Sequence, residues 1–226
     1  MSTIMTTRDV EEGIESIAGV VRRLSADPGV KRQVDERIAE FMEVNNGGST
    51  LWFREFVYCL LTAYSSAERA QLCVDALEGC GVVLDGGVEE VAETLRRTGH
   101  RFANKRAEYI VEARVLRTSI KEIVTRFGNS TEAREWLVAN VRGFGWKEAS
   151  HFLRNVGYLD VAIIDRHIMS NMMEHGLVEE DAPKGLTKRR YLRYEGILKR
   201  VADRLGMPVG KMDLYLWYRK TGKVLK

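Results

Sequence analysis

An all-α protein built as two helical lobes is what this sequence predicts, and three observations carry the prediction. Apolar residues recur at a spacing of three to four along most of the chain, the period of one buried helix face. Only three prolines occur, Pro28, Pro183 and Pro208, so few helix interiors are interrupted. Val82-Val83-Leu84 is the one stretch with strand character, and it is too short to found a sheet. Stripes and breaks together predict about ten or eleven helices.

The stripes run in order. Val30, Val34, Ile38, Phe41 and Met42 make the first, and Phe56, Val57, Leu60, Leu61 and Tyr64 the second. Ile110, Val111, Ile120, Ile123, Val124 and Phe127 mark a third region. Trp136, Leu137 and Val141 follow, then Phe152, Leu153 and Val156. Asn45-Asn46-Gly47-Gly48 carries helix-stop chemistry, with Ser49 or Thr50 to cap the next helix. Gly128-Asn129 is a second stop, with Ser130 or Thr131 as the expected cap. Residues 1–50 are expected to pack with 170–226 as one lobe, and 51–169 to form the other.

Composition excludes several classes. Hydrophobic residues make up 45% and charged residues 30% of the 226, which is neither disordered nor fibrous. The longest apolar run, Phe56 to Leu61, is far short of the ~20 residues of a membrane span. The N-terminal stretch has no apolar signal core, so a cytoplasmic, nucleoid-associated protein is expected. Cys59, Cys73 and Cys80 form no CxxC pair; buried thiols in a reducing compartment are the expectation, with no thiolate metal site after residue 80.

Charge is unevenly spread. Residues 1–98 carry 10 basic and 17 acidic side chains, whereas 99–226 carry 25 and 15. Residues 184–204 hold eight basic side chains and two acidic ones. Such asymmetry suits a polyanion such as nucleic acid. A solvated basic helix face produces the same pattern, and charge alone leaves an RNA-binding helical protein open.

The most informative segment runs from Glu132 to Asn171. A helix over 132–141 enters Arg142-Gly143-Phe144-Gly145-Trp146, and a second helix starts at Lys147. Gly143 and Gly145 permit a tight reversal and bring backbone N–H groups to a helix N-terminus, where a phosphate is favoured. An ordinary interhelical turn uses the same residues. Lys147 sits in the first turn of the second helix, against the helix dipole. A phosphate contact explains it, and so does an amine nucleophile whose ammonium form the dipole disfavours. Asp165 follows Val161-Ala162-Ile163-Ile164 and precedes a new helix, the position of an N-cap. Capping and catalysis are compatible, since a capping carboxylate is well fixed.

The stretch GFGWKEASHFLRNVG followed by DVAIIDRHI resembles the helix-hairpin-helix glycosylase superfamily. FREFVYCLLTAYSSAERA (53–70), GHRFANKRAEYIVEAR (99–114) and DLYLWYRKTGKVLK (213–226) narrow the resemblance to the type-2 8-oxoguanine DNA glycosylase/lyases typical of archaea. The resemblance implies two helical lobes with a central cleft and the helix-hairpin-helix motif at about 132–157. It implies that Lys147 attacks the sugar of a flipped nucleotide and that Asp165 stabilises the developing positive charge. Base excision and strand cleavage then come from one amine, with no metal or other cofactor. The implied partner is double-stranded DNA containing oxidised guanine, and a monomer is the default state.

Further roles follow from the same resemblance. His167 matches a phosphate contact, though a helix-surface histidine fits equally. Trp217 matches a ring that stacks on the flipped purine, and core packing is its ordinary alternative. The terminal carboxylate of Lys226 is expected to help bind that base, and Asp213, one turn before Trp217, to add a contact. Arg101 and Phe102 are expected to fill the gap left in the duplex and meet the orphaned base; a loop-anchoring Phe is the plain alternative. After Leu60-Leu61-Thr62-Ala63 the family pattern leads to a small amide that reads the opposite strand, but this chain has Tyr64. Two further readings remain: a glycosylase for another damaged purine, and a non-catalytic helix-hairpin-helix DNA-binding module. Plain phosphate binding has no need of the Lys147 and Asp165 pair.

Overall fold

The computed structural model describes residues 7–178 and 186–226, and among these the regular structure is helical throughout. Thirteen α-helices occur in the described residues: α1 (Thr7–Ala26), α2 (Pro28–Asn46), α3 (Ser49–Thr62), α4 (Ala67–Gly79), α5 (Val82–Asp85), α6 (Val88–Arg97), α7 (Ala103–Ala113), α8 (Ile120–Thr125), α9 (Ser130–Asn140), α10 (Trp146–Asn155), α11 (Arg166–Glu174), α12 (Lys188–Leu205) and α13 (Val209–Thr221). A 3-10 turn, Arg114–Leu116, follows α7. The expected ten or eleven is therefore low, because short helices escape a periodicity search. Val82–Asp85 is one of them. The Arg114 guanidinium donates to the carbonyls of Val82, Val83 and Gly86 at 2.7, 3.0 and 2.6 Å, satisfying carbonyls at the end of that single turn. No described helix is long and apolar enough to cross a membrane.

The chain divides into two compact units, 1–39 with 158–224, and 40–157 with 225–226. The expected boundaries near 50 and 170 lie about a dozen residues further along. At the first boundary, Val30 and Val34 of α2 belong to the terminal unit, whereas Phe41 of the same helix packs under the Arg154 guanidinium, 5.1 Å from its ring centre, in the central unit. At the second, the irregular run Val161–Ile164 is buried and tied to α12. Tyr191 Oη donates to the Ala162 carbonyl (2.7 Å) and accepts from Ile164 N–H (3.2 Å), while Glu195 Oε1 accepts from Ala162 N–H (3.0 Å). Buried backbone outside a helix needs such partners, and α12 of the terminal unit supplies these three.

In the central unit α3 is the axis. Every residue from Trp52 to Thr62 except Arg54 is buried, as expected of a helix covered on all sides. Lys121 Nζ donates to the carbonyls of Asn45 and Gly47 at 2.7 and 2.8 Å, closing the end of α2. Cys59 and Cys73 are buried as expected; Cys80 is exposed, because it ends α4 rather than facing the core. Asn129, not Ser130 or Thr131, caps α9, its side chain accepting from Glu132 N–H at 2.9 Å.

In the terminal unit Ile14, Ile17, Ala18 and Val21 form the buried stripe of α1, which packs against α12 and α13. Asn171 latches α11 to α13: its Nδ2 donates to the Leu216 carbonyl (3.1 Å) and its Oδ1 accepts from Arg219 (2.7 Å). Glu174 adds ion pairs to Lys220 and Arg219, which hold its carboxyl at about 2.

Candidate active site

The hairpin joins α9 to α10 through residues 141–145. Phe144 anchors it from within, stacked on Phe56 at 4.6 Å and beside Phe152 at 6.1 Å. Burying one such ring contributes about 1.5–3 kcal/mol. Arg134 of α9 lies over the Trp146 ring at 5.0 Å and donates to Ser150 Oγ at 3.1 Å, stapling the two helices.

The two glycines do different work. Gly143 has φ +96°, the left-handed region that side chains resist, and a Cβ there would lie 2.5 Å from the Tyr109 ring and 3.1 Å from Leu60. Gly145 has φ −103°, which any residue adopts. Its N–H donates to Glu148 Oε2 at 3.2 Å, so in this structure that donor is spent on a side chain of the same helix. Gly143→Ala is therefore expected to destabilise the fold by about 2–4 kcal/mol, strain and overlap combined. Urea unfolding checks this, and an unchanged midpoint would mean that the loop relaxes freely.

Lys147 is the second residue of α10 and is partly buried, its side chain 26% exposed. Its Nζ makes a long 3.4 Å hydrogen bond to Thr62 Oγ1 and stands 3.8 Å from Glu148 Oε1. The amine is thus confined yet not locked into a tight ion pair. His151, one turn on, is a packed core residue, edge-on to Tyr58 at 5.6 Å. Burial, then the nearby Arg154 and Lys147 charges, hold its imidazole well below the ordinary value.

Asp165 caps α11, as its position in the sequence suggests. Oδ1 accepts from the N–H groups of His167 and Ile168, both at 2.8 Å. Oδ2 accepts from the Trp217 indole N–H at 3.2 Å. Three donors around one carboxylate fix its position at the start of α11. His167 stands edge-on to Trp217 at 5.5 Å, and its Nε2 accepts from Arg166 at 3.2 Å. Asp165, His167 and Trp217 are thus one cluster. Asp213 is buried on the Trp217 face of α13. No spacing or motif marks the indole–carboxylate bond, because its partners are 52 residues apart.

The other predicted residues belong to the central unit. Phe102 is 39% exposed and carries the Arg101 guanidinium 5.2 Å from its ring centre. Lys226 is held at both ends: Tyr58 Oη donates to its carbonyl oxygen at 2.5 Å, and its Nζ pairs with buried Glu55 Oε1 at 2.6 Å. Glu55 Oε2 accepts from Asn155 at 3.0 Å. Glu55, Tyr58 and Asn155 carry no sequence signal as partners of Lys226, because they sit in ordinary helical stripes. Among the described residues no group of three or more His, Cys, Asp or Glu is arranged to hold a metal ion.

Comparison with known proteins shows the family. Residues 34–207 match the family model described as 8-oxoguanine DNA glycosylase. An 8-oxoguanine DNA glycosylase/AP lyase of Methanocaldococcus jannaschii is 47% identical over 87% of this chain and 93% of the relative. One of Korarchaeum cryptofilum is 45% identical over 95% of this chain and all of the relative. The crystal structure of the M. jannaschii glycosylase/lyase in complex with 15mer DNA containing 8-oxoguanine superposes with a TM-score of 0.87 at 43% identity, covering 93% of this chain and all of that one. The Thermotoga maritima 8-oxoguanine DNA glycosylase gives 0.84, also at 43%, over 94% of this chain and all of that one. With three quarters of its length matched by the family model and full-length relatives well above 40% identity, this chain belongs to the 8-oxoguanine DNA glycosylase family.

Proposed function

We propose that this protein is a bifunctional DNA glycosylase/AP lyase that removes 8-oxoguanine from double-stranded DNA and then cuts the strand. The observation that carries the reading is the state of each group in its own unit: a loosely held amine in the first turn of α10, and a carboxylate that three donors fix at the start of α11. The reactive carbon is inaccessible within a duplex, so the nucleotide is extruded first. The Lys147 nitrogen forms a bond to C1′ as the N-glycosidic bond breaks, and the purine leaves with that electron pair and takes up a proton. Asp165 stabilises the positive charge that develops on the sugar. The aminal opens to a Schiff base. Loss of a C2′ proton then expels the 3′ phosphate, and hydrolysis frees the amine.

The remaining residues fit supporting roles. The hairpin at Gly143 and Gly145 and the His167 region contact phosphates. Trp217, Asp213 and Lys226 hold the extruded base, and the protein acts as a monomer without a cofactor. Borohydride trapping across a panel of damaged-base duplexes tests the whole reading; a trapped complex with 8-oxoguanine is expected. Trapping with a different purine alone would reassign the substrate, and binding without trapping would leave a DNA-binding module.

Trp217 has a second task, holding Asp165. Trp217→Phe keeps a ring but removes the N–H donor to a charged acceptor, a bond worth about 1.5–3 kcal/mol. Single-turnover excision is expected to fall at least ~10-fold, and cleavage at a preformed abasic site is expected to fall with it. A loss confined to base excision would make Trp217 a base-stacking residue alone.

A further inference from the structure

Residues 62–65 form a tight turn between α3 and α4, closed by a hydrogen bond from Ser65 N–H to the Thr62 carbonyl at 3.2 Å. Ala63 has φ −67° and ψ 118°, and Tyr64 has φ +61°. These are the angles of a type II turn, whose third position takes Gly or Asn because side chains resist positive φ. Tyr64 is the one described residue other than glycine with positive φ. It gains little from burial, since it is 80% exposed. Its ring meets another exposed ring, Phe102, edge-on at 5.5 Å.

The turn is tied to two places of consequence. Thr62, which opens it, holds the Lys147 amine. The Leu61 carbonyl, just before, accepts from His100 Nε2 at 3.0 Å, and His100 Nδ1 in turn accepts from Phe102 N–H at 3.2 Å. The turn and the 99–102 loop are therefore fixed to each other through a buried imidazole. Arg101 lies over Phe102, and Lys105 follows one turn into α7. Two rings project from a rigid base beside the amine, flanked by cations.

An aromatic residue kept in a strained, exposed position against both local preference and the hydrophobic effect has a use outside the fold. Resting on the glycosylase reading above, we propose that Tyr64 is a DNA wedge. Its ring enters the duplex where the damaged nucleotide has left and stacks on the estranged base, sharing the gap with Phe102, which the family resemblance already places there and whose ring meets it edge-on. Stacking is tolerant of base identity because every base has a π-face. Tyr64 therefore reads the opposite strand by ring area rather than by the hydrogen bonds of an amide.

Tyr64→Asn and Tyr64→Phe test this with duplexes carrying a tetrahydrofuran abasic analogue. Asn suits the backbone, so Tyr64→Asn is expected to raise the melting temperature by about 2–4 °C. The same variant is expected to bind the duplex about tenfold more weakly, with a smaller loss on the single strand. Tyr64→Phe, which keeps the ring, is expected to bind within about twofold of wild type. Equal affinity for wild type and Tyr64→Asn, equal losses on duplex and single strand, or a Tyr64→Phe loss as large as that of Tyr64→Asn would each overturn the wedge. Failure of the wild-type protein to form a borohydride-trapped complex at a true abasic site would instead overturn the glycosylase reading beneath it.

Discussion

Lys147→Gln is expected to abolish the borohydride-trapped complex and to lower excision of 8-oxoguanine by at least ~10³-fold, the scale of losing a covalent nucleophile. Glutamine keeps a polar side chain one atom shorter than lysine's but has no basic nitrogen to form a Schiff base. Affinity for damaged duplex is expected to change little, because one cation among many phosphate contacts is removed. Folding stability is expected to hold or rise. A lysine in the first turn opposes the helix dipole, and removing its charge relieves about 0.3–1 kcal/mol, less whatever Glu148 at 3.8 Å returns. Lost chemistry with retained binding and stability is the signature of a residue kept for reaction. Trapping assays, equilibrium binding and urea melts on the same preparation read the three quantities. A trapped complex that survives the substitution would reject Lys147 as the nucleophile.

Asp165→Asn is expected to slow base excision by about 10²–10³-fold, the usual cost of losing one preorganised charge-stabilising group. Asparagine caps a helix about as well as aspartate. Its amide oxygen still accepts the two backbone N–H groups that Oδ1 accepts now. The amide nitrogen would then face the Trp217 indole in place of Oδ2, donor against donor. Charge is lost while the cap is retained. Asp165→Ala removes both and adds a stability loss of about 1 kcal/mol. Comparing single-turnover rates and melting midpoints for the two variants separates catalysis from capping. Unaltered turnover in Asp165→Asn would leave the carboxylate as a cap alone.

The helix stripes were legible because burial on one face imposes a period of three to four whatever the partner. Phe56, Phe152 and Leu137 lie in the core where the spacing put them. Asp165 was legible as a cap because capping is local: the carboxylate bonds N–H groups two and three residues on. The cap of α9 was misplaced by one residue within Asn129-Ser130-Thr131, where three neighbouring polar side chains compete. Unit boundaries were harder. They depend on which helix supplies hydrogen bonds to Val161–Ile164, a contact between residues about 30 apart.

Sequence alone determined the helical class and the hairpin, since each rests on short-range spacing, and its family resemblance singled out Lys147 and Asp165 as the candidates for the reaction. Tertiary structure decided the rest. It set the indole N–H of Trp217 on Asp165 and gave Lys226 to Tyr58 and Glu55. It also showed that only Gly143 of the two hairpin glycines needs its missing side chain, and that Tyr64 stands strained and open to solvent. Hydrogen bonds between distant residues and the sign of a backbone dihedral leave no period in a sequence, because they are fixed by how the helices pack.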